Sequence, residues 1–545
     1  MVTEAGDEDG CKIISSPHWS YPKVDNNEAK QLMMMRNLFF RSMILVVIIL
    51  GIFMPGGKAF GQAKAKIRII HADDLRGLKS GGEELNILVG DVQFEHDGAY
   101  LYCDSAVLNS RNSDLYSYGS VHIKMSDTLS LYGDTLHYNG ITRVAVMSGN
   151  VILQDNQATL YTNKLTYNRK TRTAYYTTGG RIENKDNELS SSYGIYYTDT
   201  KQVHFKNNVQ LVNDEYLLLS DTLIYNTATA IAFISGPTTI TGKEEFLYAE
   251  DGFYDTRTDI TMLRQNAYMT YQEQYLRGDS IYFEKATGIG EVFGNVFLRD
   301  TVQKVIITGN YADYHRNQGY AWATDSAMAI MADATDSLFL HADTLWLTFD
   351  TANNPQQLTA YHHSRFYKTD LQGMSDSLVY SFTDSTIHMF YDPILWADEN
   401  QLTADEIIIY SSGQRADSMQ MAGSAFIVSK DKYGEGNFNQ IKGKEMMAYF
   451  ENNELNLVKV DGNSETIYFV REEDGALIGI NKAVAGRMEI FIVDRQIDGI
   501  IYFENPDATL YPEGELPIDQ FFLRDFRWNE NMRPMNREDI FRWPK

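Results

Sequence analysis

Residues 148–174, SGNVILQDNQATLYTNKLTYNRKTRTA, decide the fold of this chain. A Gly-Asn pair opens a run of alternating apolar residues, and a second run rich in Leu and Tyr follows before a polar turn. Alternation with a period of two is the pattern of a β-strand that has one face in a core. The stretch therefore predicts two short strands followed by a turn.

Two signatures alternate along the chain, and the pattern recurs about every 29 residues from Gly90 to roughly Gly462, which is typical of a repeat protein. The first is a Gly or Asn turn followed by alternating apolar residues, and it begins at Gly90, Gly119, Gly149, Asn207 and Gly294, with weaker copies at Gly179, Gly236, Asn266, His363, Asp392 and Gly423. The second is Asp-Thr/Ser-Leu-x-aromatic or its Ile variant, and it begins at Asp134, Asp221, Asp279 and Asp376, with a close variant at Asp343. One repeat is too small to bury its own apolar face, so we expect the repeats to stack into one elongated all-β array.

The first signature predicts which side chains face the core. Two apolar positions share one face in every strong copy, whereas the residue between them varies from Gln to Phe. We expect the inward set to be Val92, Phe94, Val121, Ile123, Val151, Leu153, Val209, Leu211, Val296 and Leu298. The Gly or Asn is expected to supply positive φ at a tight turn ahead of the strand, and the Asp of the second signature is expected to cap a turn. If each repeat adds one layer, about thirteen repeats span on the order of 60 Å.

The composition excludes several classes of function. A net charge of −25 argues against nucleic-acid binding, which needs a basic surface. Two cysteines exclude a disulfide framework, and Cys103 is expected to be a small core residue. The sequence holds no GxSxG, HExxH, P-loop or dinucleotide-binding motif, and His362 and His363 would point to opposite faces of a strand. We therefore predict no enzymatic activity, no catalytic residue, no metal site and no cofactor.

The chain is predicted to fall into four parts. Residues 1–63 are a targeting segment, in which 33–63 have the order of a secretory signal peptide and 1–32 read as a misassigned start; an uncleaved membrane anchor is the alternative. Residues 64–300 hold the clearest repeats, and residues 301–480 hold divergent ones. Residues 481–545 hold the last strands and a short irregular tail rich in Arg and Trp, which is expected to cap the last strand edge or to dock a partner.

An exported, Tyr-rich repeat with Gly-Asn-Val-x-Leu and Asp-Thr-Leu-x-Tyr signatures resembles the OstA-like lipopolysaccharide-transport family, most clearly over roughly 65–300. The resemblance implies an antiparallel β-jelly-roll, open like a folded taco, that holds the acyl chains of lipopolysaccharide in its apolar interior. It also implies a periplasmic bridge between the inner and outer membranes that serves outer-membrane assembly. Its partners would be other transport components, or further copies of the chain, joined by edge-strand pairing.

The periodicity alone leaves other folds and functions open. A closed parallel β-helix would give much the same pattern. A structural or adhesive solenoid at the cell surface and a polysaccharide-active β-helix enzyme are therefore the alternative functions. The chain is also much longer than the compact members of the family, so one chain would do what shorter relatives do by polymerising.

Overall fold

A computed structural model describes residues 66–544, apart from 81–82, 186, 333–335, 353, 413–414, 452–453, 473 and 494–495. The predicted signal peptide and Cys11 lie outside the described residues. In the described part of the chain, forty strands form one continuous sheet whose pairings are antiparallel. The all-β prediction is confirmed, and the parallel β-helix alternative is wrong.

The strands follow one another along the chain as β1 Arg68–His71, β2 Asp74–Ser80, β3 Glu83–His96, β4 Ala99–Asn109, β5 Asp114–Lys124, β6 Ser130–Asn139, β7 Val144–Gln154, β8 Thr159–Asn168, β9 Thr173–Tyr176, β10 Gly180–Asn184, β11 Asn187–Ser191, β12 Tyr193–Tyr197, β13 Gln202–Val212, β14 Leu217–Asn226, β15 Ile231–Thr241, β16 Glu245–Asp255, β17 Ile260–Arg264, β18 Tyr268–Tyr271, β19 Gln274–Arg277, β20 Ser280–Glu284, β21 Ile289–Asp300, β22 Val305–His315, β23 Tyr320–Thr324, β24 Met328–Ala332, β25 Ser337–His341, β26 Thr344–Phe349, β27 Pro355–Tyr361, β28 Ser364–Tyr367, β29 Leu371–Ser375, β30 Ser377–Ser381, β31 Thr386–Phe390, β32 Ile394–Ala397, β33 Asn400–Thr403, β34 Glu406–Ser412, β35 Arg415–Lys430, β36 Phe438–Glu451, β37 Glu454–Arg471, β38 Leu477–Val493, β39 Gln496–Phe503 and β40 Asp507–Tyr511. The helical elements among the described residues are 3₁₀ turns at Arg316–Gln318, Ile518–Gln520, Glu530–Met532 and Asp539–Phe541.

Each long strand bends at a corner near its middle. In β7, Gly149 and Asn150 have φ values of +78° and +45°, and the register of the pairing with β8 shifts at this point. Pairs of consecutive positive φ values also occur at Gly90–Asp91, Gly119–Ser120, Asn207–Asn208, Gly294–Asn295, His362–His363 and Gly423–Ser424. The predicted positive φ is confirmed. The predicted tight turn ahead of a strand is wrong, because pairing continues on both sides of a β-bulge.

The Asp of the second signature lies at the corner of the neighbouring strand. Asn150 donates a hydrogen bond to Asp134 Oδ2 at 2.9 Å, and Asn295 donates to Asp279 at 3.0 Å. A Cβ on Gly149 would lie 2.3 Å from Asp134 Oδ2, so the carboxylate occupies the space that the glycine leaves. The expectation that this Asp caps a turn is therefore wrong, since its side chain joins two adjacent corners.

The corners fold the sheet along its length into two facing walls. We call wall B the half of each strand that holds the predicted inward residues, such as 121–124 of β5, and wall A the other half, such as 114–118 of β5. The inward side chains of both walls pack together in buried clusters that span residues 88–254, 234–296 and 323–490. Each repeat contributes two strands rather than one layer, so it advances the sheet by about 10 Å.

The C-terminal tail, residues 512–544, crosses the outer face of wall B and is called the strap below. It runs from β38 back to β25, across strands that are far apart in the sequence. The Arg365 guanidinium donates to the carbonyl oxygens of Met532 at 2.6 Å and Asp539 at 2.9 Å. The Trp543 ring lies 4.7 Å from the ring of a corner histidine. The strap thus covers the outer face of the sheet, not the last strand edge as the capping interpretation expected.

Two buried glutamines hold the strap through its backbone. Gln440 donates to the carbonyl oxygen of Phe521 and accepts from the N–H of Leu523, both at 2.8 Å. Gln401 makes the same pair of bonds with the backbone of 527–529, at 2.8 and 2.6 Å. Each glutamine therefore satisfies one carbonyl and one N–H of an extended segment that has no strand partner of its own there.

Candidate functional site

An unbroken row of side chains runs along the inner face of wall B. Its members, each the cross-strand partner of the one before, are Phe94, Leu101, Ile123, Leu131, Leu153, Leu160, Ile182, Leu189, Leu211, Leu218, Ile240, Leu247, Met269, Leu276, Leu298, Ile307, Ala329, Leu340, Phe366, Gly373, Leu395, Leu402, Ile427 and Ile441. No member carries a polar side chain. Five of the predicted inward residues belong to this row: Phe94, Ile123, Leu153, Leu211 and Leu298.

The other five predicted residues form a second row beside the corners. Val92, Val121, Val151, Val209 and Val296 face small partners on the next strand, namely Cys103, Gly133, Thr162, Ser220 and Gly309. Nine of the ten predicted residues are buried, and Leu298 is half-buried. Burial also raises the pKa of the Cys103 thiol to about 11, which fits the expected small core residue. The described side chains of the two walls are therefore in mutual contact.

Wall A carries an inner row in which large aromatic residues alternate with small ones. Its members in order are Tyr138, Ala145, Tyr167, Ala174, Tyr196, Val203, Tyr225, Ala232, Tyr254, Thr261, Phe283, Gly290, Tyr314 and Ala321. Our sequence reasoning missed this facing wall. The signal was present in the second signature, whose aromatic position supplies Tyr138, Tyr225 and Phe283.

The turns at the free ends of the strands form two rims, which meet over the first half of the array. We call lip A the turns at 109–114, 139–144, 168–173, 197–202, 226–231, 255–260 and 284–289, and lip B the turns at 96–99, 124–130, 154–159, 184–185 with 187, 212–217, 241–245 and 271–274. Tyrosines of wall A reach across to lip B. The Tyr138 hydroxyl lies 2.6 Å from His96 Nδ1, and the Tyr196 hydroxyl donates to Asp155 Oδ2 at 2.6 Å.

Ion pairs also join the two lips. Arg143 Nη2 lies 2.6 Å from Asp97 Oδ2, and Lys201 Nζ lies 2.8 Å from Asp155 Oδ2. The Asp155 side chain is only 2% exposed. Burial by itself would raise the pKa of this carboxyl, but the bonds from Lys201 and Tyr196 outweigh burial and lower it. Charge-assisted hydrogen bonds at a partly buried boundary therefore hold the two lips together.

A small cavity lies between the walls near the first strands. Its volume is about 30 Å³, and it is lined by Ile67, Phe94, His96, Tyr138 and Arg169, among others. This volume holds about one water molecule. In the second half of the array, inward residues near the rims are only half-buried, among them Ile307, Met331, Leu347, Tyr380 and Phe382. An acyl chain could enter the first half only if the lips part.

Two segments of the chain are similar to known families. The family described as OstA-like protein matches residues 64–221. A second family, described as LptA/(LptD N-terminal domain) LPS transport protein, matches residues 334–415, in the part where the signatures are divergent. The two matches support an OstA-like lipopolysaccharide-transport protein, and they fall in both halves of the array.

Sixteen chains of solved structures match this chain. One is LptH, described as the LptA homologous periplasmic component of the conserved lipopolysaccharide transport device from Pseudomonas aeruginosa. LptH is 14% identical, covers 19% of this chain and 79% of its own, and has a TM-score of 0.18. No curated protein matches. Over the described residues, no helix has the length and apolar character needed to cross a bilayer.

Proposed function

We propose that this protein is a periplasmic bridge that carries lipopolysaccharide from the inner to the outer membrane for outer-membrane assembly. The observation that supports this proposal is the apolar row from Phe94 to Ile441. Acyl chains that cross an aqueous compartment need a continuous apolar surface shielded from water. With strands about 4.8 Å apart, the row extends on the order of 100 Å along the sheet.

The ends of the sheet are the proposed contact sites for other transport components or for further copies of the chain. At one end, β2 pairs with β3 and carries the exposed side chains Leu75 and Leu78. At the other end, β40 pairs with β38 and carries the exposed Leu510. Edge strands with exposed apolar side chains favour pairing with a strand from another molecule.

Site-specific photo-crosslinking in cells tests the lipid path. A photoreactive residue at Val151 or Leu211 points between the walls, whereas one at the adjacent Ile152 or Gln210 points outward on the same strand. We expect lipopolysaccharide adducts at the two inward positions and not at the two outward ones. Adducts that are absent, or equally frequent on both faces, would refute the proposal. Cleavage of the chain by protease added to intact cells would favour a surface adhesin instead.

A further inference from the structure

The two lips carry opposite charge, although the chain as a whole is strongly acidic. The turns of lip A hold eight Lys or Arg residues against five Asp or Glu, whereas the described turns of lip B hold three Lys against eight Asp or Glu. Because the whole chain has a net charge of −25, its composition does not explain an excess of cations along one rim. This asymmetry places positive charge beside the opening of an apolar interior.

Three cations of lip A already hold anionic or carbonyl partners on lip B. The Arg169 guanidinium donates to the backbone oxygens of His96 at 2.9 Å and Asp97 at 3.0 Å, and Arg143 pairs with the Asp97 carboxylate. Further along, Lys201 pairs with Asp155. Arg143, Arg169 and Lys201 therefore each bind an oxygen that belongs to the opposite rim, and each loses that oxygen whenever the rims separate.

Apolar space lies directly behind one of these cations, Arg169. Arg169 and His96 line the small cavity together with Phe94, Leu101 and Ile123, of which the last three belong to the wall B row. A guanidinium at the mouth and aliphatic side chains behind it match the two ends of an anionic amphiphile. Arginine binds phosphate through paired, charge-assisted hydrogen bonds, which are among the stronger polar contacts in proteins.

We propose that lip A, through Arg143, Arg169 and Lys201, binds the phosphorylated head group of the amphiphile whose acyl chains lie between the walls. When the interior carries no ligand, the carboxylates of Asp97 and Asp155 hold Arg143 and Lys201, and the backbone oxygens of His96 and Asp97 hold Arg169. A head-group phosphate replaces these oxygens, so that the lips part without leaving the three cations unpaired. This inference rests on the proposed function, because it assumes that the interior takes acyl chains. It also accounts for the binding of an anionic lipid by an acidic chain.

Two probes with the same acyl chains separate head-group recognition from lipid binding. Diphosphoryl lipid A and the same lipid after removal of both phosphates are titrated against the full-length mature protein. We expect the wild-type protein to bind the phosphorylated probe about tenfold tighter or more. Equal affinity for both probes would overturn the head-group site while leaving the proposed function intact. Binding of neither probe would overturn the proposed function.

The arginines are tested by the double variant Arg143→Gln/Arg169→Gln, with Arg181→Gln as the matched control. Arg181 lies on the outer face of wall B and pairs with Glu188 at 2.9 Å. The double variant should lose about tenfold or more of the affinity for diphosphoryl lipid A and less than about twofold for the dephosphorylated probe. Equal losses for both probes, or a comparable loss in Arg181→Gln, would contradict the assignment. Since the wild-type comparison needs no variant, the proposal stays testable if the double variant does not fold.

Two further measurements complete the test. The Asp97→Asn variant lacks a carboxylate that competes with the head group, so it should bind diphosphoryl lipid A more tightly than the wild type. Weaker or unchanged binding would contradict the replacement of the carboxylate by the phosphate.

Competition with inorganic phosphate distinguishes a lipid head group from free phosphate as the ligand. It should not displace the phosphorylated probe at an equal concentration, and displacement would show a free-phosphate site instead.

Discussion

Replacing Gly149 with alanine tests whether the strand corners are specified by the Gly–Asp contact. Gly149 has a φ of +78°, and an added Cβ would lie 2.3 Å from Asp134 Oδ2 and 2.9 Å from Asp134 Cβ. Because Asp134 Cβ is itself too close, rotation of the carboxylate does not remove the clash, and the neighbouring strand must shift. The hydrogen bond from Asn150 to Asp134 is then lost.

The magnitude follows from two contributions. A non-glycine residue in the left-handed region costs about 1–2 kcal/mol. Loss of the Asn150–Asp134 hydrogen bond costs about 1 kcal/mol more. We therefore expect Gly149→Ala to destabilise its part of the array by roughly 2–3 kcal/mol. Gly98→Ala is the matched control, since Gly98 has a φ of +79° with nothing within 4 Å of an added Cβ, and it should cost about 1 kcal/mol.

Hydrogen exchange read on peptides from β6 to β8 is the suitable assay, because long repeat arrays do not unfold in one step. Tryptophan fluorescence would miss the effect, since no tryptophan lies between residues 66 and 300. Equal costs for Gly149→Ala and Gly98→Ala would refute the reasoning.

Leu131→Ala should destabilise the first half by about 2–5 kcal/mol, because the Leu131 side chain is fully buried in the wall B row; Tyr132→Ala, on the outer face of the same strand, should cost much less by hydrogen exchange. Gln401→Ala leaves a carbonyl and an N–H of the strap unpaired, which should destabilise the bound strap by about 2 kcal/mol. Trypsin should therefore cleave the Gln401→Ala variant at Arg524 or Arg527 faster than it cleaves the control variant Gln154→Ala. Asp155→Asn should destabilise the protein at neutral pH. The folded pKa of Asp155 lies below its ordinary value of 3.8, so the stabilisation is present above pH 3.8 and is lost as the pH falls through the folded pKa. The difference in stability between the two proteins should therefore shrink in denaturant titrations as the pH is lowered below 3.8.

The sequence was sufficient for features that depend on neighbouring residues. Alternation around Val151 and Leu153 predicted which side chains point inward, because successive side chains of a strand point to opposite faces. Gly149 and Asn150 predicted a positive φ, because these residue types tolerate it at low cost. The sequence did not predict that Gly149 and Asn150 lie inside a strand and not ahead of one. That position depends on the pairing of β7 with other strands on both sides of the bend.

Features made by distant segments were beyond the sequence pattern. The bond between Arg143 and Asp97 depends on the closure of the two rims, and neither residue belongs to a repeated signature. Gln401 and Gln440 are ordinary polar residues in the sequence, and only the strap above them explains their burial. The composition of the tail indicated a contact surface, but its place on the outer face depends on these non-local bonds. The division of the array near residue 300 stays a prediction.

The strap affects the order in which the two halves of the array fold. In the first half of the array the walls and lips are built from strands close in sequence, so they can close while later segments are still absent. The second half must wait for the last residues of the chain, whose bonds reach back as many as 174 positions to Arg365. Once bound, the strap links strands that otherwise touch only their neighbours, so the second half should unfold as one block while the first half opens piece by piece.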